Sequence, residues 1–228
     1  MNKQWADWGI ARGIERHNFL ILRVTRKCIK AFPYRGRVVD LGCGKAPYKE
    51  IVLRTADEYI GVDWENSMHD QSNVDVFADL SKQLPFDDAY ADTAISFNVL
   101  EHLPEPDFFL AECHRILRPG GGLYMLVPFL WHIHEEPHDF YRYTKYGLQY
   151  LLEKNGFSEI VIEAQTGFWV MWWLSFNYHT VRFERGPLKY FWYPFWWLTQ
   201  AIAPLMDKIN PVRNTTHTTG YAVQARKA

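Results

Sequence analysis

The chain is poor in cysteine. Cys28, Cys43 and Cys113 are its only three, widely spaced and without a C-x-x-C pair, which excludes a disulfide framework and a zinc ribbon and fits a reducing compartment. The first residues, Met1 to Asp7, lack the apolar core of a secretory signal, so the catalytic part is expected on the cytoplasmic side. No G-x-S-x-G elbow occurs, which disfavours a Ser-His-Asp hydrolase. There is no internal repeat and no low-complexity linker. Disorder is not indicated either, because 48% hydrophobic residues in 228 can fill the core of one α/β domain plus decoration.

Net charge is nearly absent, at −1, but it is segregated. Met1 to Arg37 carries nine basic and two acidic residues, Val38 to Thr166 nine and 22, and Gly167 to Ala228 seven and two. An acidic centre between basic flanks argues against a nucleic-acid groove on the catalytic face. It points instead to flanks that jointly meet something anionic.

What is present most clearly is Val38-Val39-Asp40-Leu41-Gly42-Cys43-Gly44, followed by Gly61-Val62-Asp63-Trp64-Glu65. The apolar pair reads as the end of a buried strand, and Gly42 and Gly44 allow a sharp turn with close backbone approach to a ligand. Asp63, at the end of the next apolar run, stands where such folds place an acid for ribose hydroxyls. Ala46-Pro47 stands where a dinucleotide fingerprint has its last glycine, so a nucleoside cofactor lacking phosphates fits better.

Asp40-Leu41-Gly42-Cys43-Gly44 resembles motif I of class I S-adenosylmethionine-dependent methyltransferases, and Gly61-Val62-Asp63 resembles their second motif. Further landmarks follow in order: Val76 to Leu80, Leu84-Pro85-Phe86-Asp87-Asp88, Ser96 to Leu103, and Glu112 to Gly121 with its Pro-Gly-Gly turn. The resemblance runs from about Arg37 to Phe157 and implies S-adenosyl-L-methionine as cofactor. On it, Gly42 and Gly44 give backbone approach, and Asp40 orders the turn or meets the amino acid end through water. Asp63 takes both ribose hydroxyls, and Trp64 stacks on adenine or simply packs. Asp79 accepts from the adenine amino group with Leu80 donating a backbone N–H, and Asn98 faces the methionine portion or caps a loop.

The implied fold is α/β, a Rossmann-like seven-stranded methyltransferase sheet with an N-terminal basic helix and an aromatic helical insertion between strands 6 and 7. Strands are expected at Arg37 to Leu41, Tyr59 to Asp63, Val74 to Phe77, Thr93 to Ser96 and Gly122 to Val127. A sixth is expected around Ile160-Val161-Ile162, and an antiparallel seventh at Gly220 to Ala225. The expected divisions are a cap at 1–36, a cofactor-binding core at 37–166, the insertion at 167–215 and a closing strand at 216–228.

The insertion holds six of the chain's ten tryptophans, all between Phe168 and Trp197. Gly167 to Val181 and Pro187 to Ile209 read as two helices, the second bent at Pro194 and Pro204, with Arg182, Arg185 and Lys189 at the connection. Neither supplies the roughly 20 uninterrupted apolar residues needed to span a bilayer. Trp, Tyr and basic side chains together favour the headgroup region, so a hairpin lying on a membrane is the preferred reading; packing on the core or in a dimer interface is the alternative. Ile14, Leu20, Ile21, Val24 and Cys28 form a helical stripe flanked by Arg12, Arg16, Arg23, Arg26, Lys27 and Lys30. That stripe is either a cap over the cofactor cleft or a surface-binding helix.

Val127 to Thr144 should line the acceptor side. It resembles a bacterial branch of type 11 methyltransferases in His134, Pro137, Asp139, Phe140, Arg142, Tyr143 and Thr144. Transfer to oxygen needs alignment and proton removal, so His134 is the expected general base, with His138 in reserve. Asp139 orients the base or the acceptor, and Arg142 fixes the loop or an anionic group, unless the two merely form an ion pair shaping the loop. His132, His134 and His138 lack the spacing of zinc motifs, so no metal is assigned.

The resulting expectation is an enzyme, peripheral on the inner face of a membrane, that methylates oxygen on an amphipathic acceptor. A lipid-linked sugar, a quinone-like ring or a lipid headgroup would qualify, since the resembled branch is similar to enzymes of surface-polysaccharide and lipid pathways. Membrane contact runs through Phe168 to Trp197 and the basic N-terminal helix; no nucleic-acid partner is expected and oligomerisation is left open. The alternatives are a methyltransferase of a small soluble metabolite with the aromatic hairpin as dimer interface, and a noncatalytic scaffold that docks a membrane partner.

Overall fold

The computed structural model describes residues 17–65, 71–209 and 216–228. Ile14, Arg12 and Arg16 of the amino-terminal stripe lie outside the described residues. The chain divides into two compact units. Of the described residues, one comprises 29–65, 71–129, 133–163 and 221–228, and the other comprises 17–28, 130–132, 164–209 and 216–220.

The first unit is built on a seven-stranded sheet of β1 (Arg37–Leu41), β2 (Glu58–Asp63), β3 (Val76–Phe77), β4 (Ala91–Phe97), β5 (Leu117–Pro128), β6 (Phe157–Ala164) and β7 (Gly220–Lys227), in the order β3-β2-β1-β4-β5-β7-β6. Strands β3, β2, β1, β4 and β5 pair in parallel. Both faces of the central strands are covered, which is why they read as continuous apolar runs. Four of the five β1 residues are buried, as are Gly122 to Pro128 of β5. Helices α1 (Phe19–Ala31) and α2 (Lys49–Val52) come first in the chain; α3 (Pro106–Ile116) buries Phe109, Leu110, Cys113 and Ile116, and α4 (Lys145–Lys154) buries Leu148 and Leu152.

Two strands depart from expectation. β3 is only two residues long, because Asp75 turns its carboxylate back onto the Gly61 N–H instead of continuing the ladder (2.8 Å). β5 starts five residues early at Leu117, opposite Ala91, and then loops out Pro119-Gly120-Gly121 so that Gly122 faces Thr93. Gly120 has φ +73, which a Pro-Gly-Gly turn supplies without strain.

The sheet order reverses between β1 and β4, and the chain leaves β1, β2, β4 and β5 at the same edge. That edge is where open α/β sheets hold ligands. The turn Gly42 to Gly44, Asp63, the segment from Asn98 to His102 and the loop from Ile133 onward all follow those strands.

The second unit contains α5 (Phe168–Thr180) and α6 (Lys189–Ile209), joined by short 3-10 turns at Val181–Phe183 and Gly186–Leu188, and most of a helix at Phe19–Ala31. The amino-terminal stripe and the aromatic insertion thus share one unit. Leu20, Val170, Leu174 and Ala203 form its buried cluster, with Ile21, Val24, Trp131 and Trp173 packed against it. Polar side chains stitch the helices together: Trp196 Nε1 donates to Thr180 Oγ1 (2.9 Å), Asn177 Nδ2 to Thr199 Oγ1 (3.1 Å), and the Leu20 N–H to Gln200 Oε1 (3.0 Å).

Helix α5 is capped from a distance. Its N-cap residue is Gly167, which has no side chain, and Asp207 of α6 accepts from the Trp169 and Val170 N–H groups instead (2.8 and 3.3 Å). A Cβ on Gly167 would lie 2.4 Å from the Asp207 carboxyl carbon, so the glycine makes room for the cap. The carboxylate also meets the positive end of the α5 dipole. Pro194 and Pro204 lie inside α6, which continues through both.

Candidate active site

The turn after β1 is held by backbone and by Asp63. Gly42 and Cys43 both donate to Val62 O (2.9 and 3.0 Å), and the Gly44 N–H donates to Asp63 Oδ2 (2.6 Å). Asp63 Oδ1 accepts from the Trp64 N–H (2.7 Å). Each carboxylate oxygen therefore spends one acceptor site on the chain and keeps another for a ligand hydroxyl. Gly42 has φ +87, and a Cβ there would lie 2.4 Å from Val99 Cγ2, so this glycine is required both by its backbone and by the loop after β4.

Asp40 is tied to the neighbouring strand β2. It is buried, and its Oδ2 accepts from the Tyr59 hydroxyl (2.5 Å). Burial raises its pKa to about 7, against the pull of that hydrogen bond and reinforced by the Asp63 charge. Asp79 binds the Ser81 hydroxyl (2.6 Å) and N–H (3.0 Å) through Oδ1 and Lys82 through Oδ2 (3.0 Å). The Ser81 hydroxyl is the main reason its carboxyl titrates below the usual range. Leu80 is buried beside it. Trp64 is exposed and meets the His138 ring edge-on at 5.8 Å. Asn98 ends β4 at φ +56, its N–H bound to Leu126 O (2.8 Å).

On the other side of the switch point, the segment after β5 is clamped onto the segment after β4. Phe140 and Tyr141 donate their N–H groups to Glu101 O, the Tyr141 and Tyr143 hydroxyls reach Pro104 O and Leu100 O, and His102 Nδ1 pairs with His138 O at 2.8 Å. Thr144 caps α4 by accepting from the Gly147 N–H (3.1 Å). Arg142 grips Asp139 through two nitrogens (2.5 and 2.7 Å), and Asp139 also accepts from the His134 N–H (2.9 Å). The Arg142 guanidinium holds the Asp139 carboxyl down at about 2.

Two ring nitrogens and one carboxylate converge here. His134 Nδ1 lies 3.4 Å from Asp139 Oδ2, while its Nε2 lies 3.7 Å from Glu101 Oε1. His102 Nε2 is also 3.7 Å from Glu101 Oε1, and the two imidazoles stand edge to face at 4.9 Å. Glu101 is wholly buried, and among the described residues neither of its oxygens has a hydrogen-bond partner. Burial raises its pKa to about 8, outweighing its own backbone N–H and the Arg142 charge.

Residues 39–125 match a family model described as a methyltransferase domain. This segment is similar to the type 11 branch of class I S-adenosylmethionine-dependent methyltransferases. A protein of Mycolicibacterium smegmatis named "Probable S-adenosylmethionine-dependent methyltransferase" is 31% identical over 119 residues, 50% of this chain and 44% of that protein. A "Ubiquinone biosynthesis O-methyltransferase" of Rhizobium rhizogenes is 32% identical over 105 residues, 42% of each chain. The chain thus spans less than half the length of these curated relatives. Among solved structures, a SAM-dependent methyltransferase from Archaeoglobus fulgidus shares the fold at TM-score 0.59 and 20% identity, covering 93% of this chain and 95% of its own.

The residues fit that cofactor. Asp63 has acceptor capacity left on both oxygens, the turn below it is held open by glycine, and Asp79 adds negative charge. Such a cradle suits a cationic nucleoside and repels phosphate. The methyltransferase motifs thus gather Asp40, Gly42, Gly44, Asp63, Trp64, Asp79, Leu80 and Asn98 after successive parallel strands, and bring His134, Asp139 and Arg142 into one cluster. His138 contributes its carbonyl to that cluster, while its ring faces Trp64. His132 belongs to the other unit, against Tyr178 at 4.8 Å. Sequence reasoning passed over Glu101 and His102 as site residues, and Tyr59 as the partner of Asp40. The signal available for the first two was a charged pair, Glu101-His102, placed directly after a buried strand.

Proposed function

We propose that the chain transfers a methyl group from S-adenosylmethionine to an oxygen of an amphipathic, lipid-linked acceptor while resting on the inner surface of a membrane. One observation carries the membrane half of this reading. Along α6, Tyr190, Phe191, Trp197, Leu198, Ile202, Leu205 and Ile209 are all exposed and recur at helical spacing on one side. The opposite side buries Trp196, Thr199, Gln200 and Ala203. The large apolar groups therefore face outward and some of the polar ones inward, the reverse of an ordinary surface helix.

Lys189 and Lys208 stand at the two ends of this helix, and Arg182 and Arg185 precede it. An apolar face edged by Tyr, Trp and cations suits a helix lying at headgroup depth. Among the described residues no helix is long and apolar enough to cross a membrane. Oxygen as the methyl acceptor is supported by the similarity to the Rhizobium rhizogenes O-methyltransferase.

Bound S-adenosylmethionine supplies an electrophilic methyl group on a sulfonium. The chain's own task is then alignment and proton removal. Asp63 and the glycine turn fix the nucleoside end. His134, beside Asp139 at one ring nitrogen, takes the hydroxyl proton, while Arg142 holds Asp139 and the loop in place.

The test is to incubate purified protein and methyl-labelled S-adenosylmethionine with membrane and soluble extracts separately, then partition the label. Organic-phase label that disappears with Asp63→Ala supports the reading. Label found only in soluble material would sink the lipidic acceptor and favour a small metabolite, with the α6 face buried by a second copy. Cofactor binding without any product would leave a scaffold.

A further inference from the structure

The Glu101 carboxylate has been removed from water without being given a hydrogen-bond donor. A buried ionised carboxylate costs several kcal/mol unless something positive accompanies it. The groups that face it are two histidine Nε2 atoms at 3.7 Å, too far to be hydrogen-bonded to it. The arrangement of their other ring nitrogens decides what they offer. His102 Nδ1 is held by the His138 carbonyl at 2.8 Å, which only an N–H can satisfy. His134 Nδ1 lies 3.4 Å from both the Asp139 carboxylate and Arg142 Nη2. His102 Nε2 then carries a lone pair, and both Nε2 atoms stand beside the same Glu101 carboxyl.

Two imidazoles converging on a buried carboxyl that has no hydrogen-bond donor form an arrangement a cation would stabilise. We propose that Glu101, His102 and His134 together bind one divalent transition-metal ion of zinc-like preference. The three ligand atoms lie within 4.8 Å of one another. Bonds of about 2.0–2.2 Å in a tetrahedral shell place neighbouring donors roughly 3.3 Å apart, so the 3.7 Å spacings need to contract by only a few tenths of an ångström. Two imidazoles and one carboxylate favour zinc or its neighbours over magnesium or calcium, which prefer all-oxygen shells. The outer shell is already in place, with a carbonyl behind one imidazole and the Arg142-bound carboxylate behind the other, as metal-ligating histidines generally require. Glu135 Oε2, 3.8 Å from His102 Nε2, borders the group.

Three protein ligands leave room for an exogenous oxygen. The site follows β4 and β5, at the same edge of the sheet as the nucleoside cradle. Where the methyl-transfer reading holds, the ion takes over the task assigned above to His134, by drawing electron density from an acceptor hydroxyl. The S–CH3 bond breaks as the O–CH3 bond forms, the sulfonium loses its charge, and the hydroxyl proton passes to solvent. The binding site itself does not depend on that reading.

The test reads metal alone, without cofactor or acceptor. The full chain is stripped with a chelator and titrated with Co2+, followed by visible absorption, and the Co2+ is then displaced by Zn2+ in calorimetry. One ion per chain with intense d–d bands is expected for the wild type. Glu101→Gln, His102→Gln and His134→Gln should each weaken Zn2+ binding by about a hundredfold or more, whereas His132→Gln should bind as the wild type does. Melting curves guard against misfolding, and Glu101→Gln should melt no lower than the metal-free parent, since it replaces a buried carboxyl that has no hydrogen-bond partner. Absence of stoichiometric binding in the wild type would overturn the proposal. So would binding that survives all three substitutions, or that is lost equally with His132→Gln.

Discussion

The two ends of the methyltransferase switch point use carboxylates in opposite ways. Asp63, after β2, is wet on one side and receives two backbone N–H groups from its own neighbourhood, so its charge is stabilised before any ligand arrives. Glu101, after β4, is dry and receives none. A carboxylate that the backbone satisfies is a preorganised acceptor for neutral hydroxyls, whereas one left bare demands a cation or a proton. The first can be assembled from residues close in sequence. The second needs histidines brought in by a loop that follows another strand.

Disturbing Asp63 should give the largest effect. Asp63→Ala removes the ribose acceptor and releases the Gly44 and Trp64 N–H groups, and charge-assisted bonds of about 1.5–3 kcal/mol each predict a loss of roughly a thousandfold in S-adenosylhomocysteine formation. Asp63→Asn should recover part of it, because the amide keeps one acceptor. An Asp63→Ala enzyme with wild-type turnover would remove the basis of the contrast.

Asp40 makes the same point through pH. Its folded pKa of about 7 lies above its ordinary value of 3.8, so the folded chain binds the extra proton. The resulting stability is fully present below about pH 4 and is lost as pH rises through 7, with a slope approaching 1.4 kcal/mol per pH unit inside that window. Denaturation in urea at several pH values should show this slope, and Asp40→Asn should flatten it. An unchanged slope would place the burden on another group.

On the acceptor side, Arg142→Ala leaves Asp139 nearly buried without its partner and should cost about 2–3 kcal/mol of stability, measured by thermal or chemical unfolding. Replacing both, with Arg142→Met and Asp139→Asn, should cost less than the single change, as removal of a pair differs from orphaning one member. In the aromatic unit the effect is smaller. Gly167→Ala intrudes on Asp207 and should cost about 1–2 kcal/mol, similar to losing the cap by Asp207→Ala. If Gly167→Ala melts like the wild type, the remote cap contributes little.

The central sheet was legible because parallel strands buried on both faces print themselves as apolar runs, and the cofactor acids because each follows its strand within a residue or two. β3 and the start of β5 were misjudged where a side chain or a glycine turn, instead of hydrophobicity, ends the pairing. On the acceptor loop, the residues of the type 11 pattern proved to include a helix cap at Thr144, a hydroxyl clamp at Tyr143 and a bidentate ion pair at Asp139 and Arg142. The motif alone does not separate these positioning roles from chemistry.

The sequence by itself determined the alternation of strands and helices, the glycine turn with its ribose acid, and the aromatic and basic character of the insertion, since all of these rest on local spacing and composition. Tertiary structure alone decided that Asp40 hides behind Tyr59, that Asp207 caps a helix whose own cap residue has no side chain, that α6 turns its aromatic side outward, and that His102 and His134 face a bare Glu101. Each of these joins residues from separate elements, and whether a polar atom is satisfied or stranded depends on which groups the packing brings within about 3 Å of it.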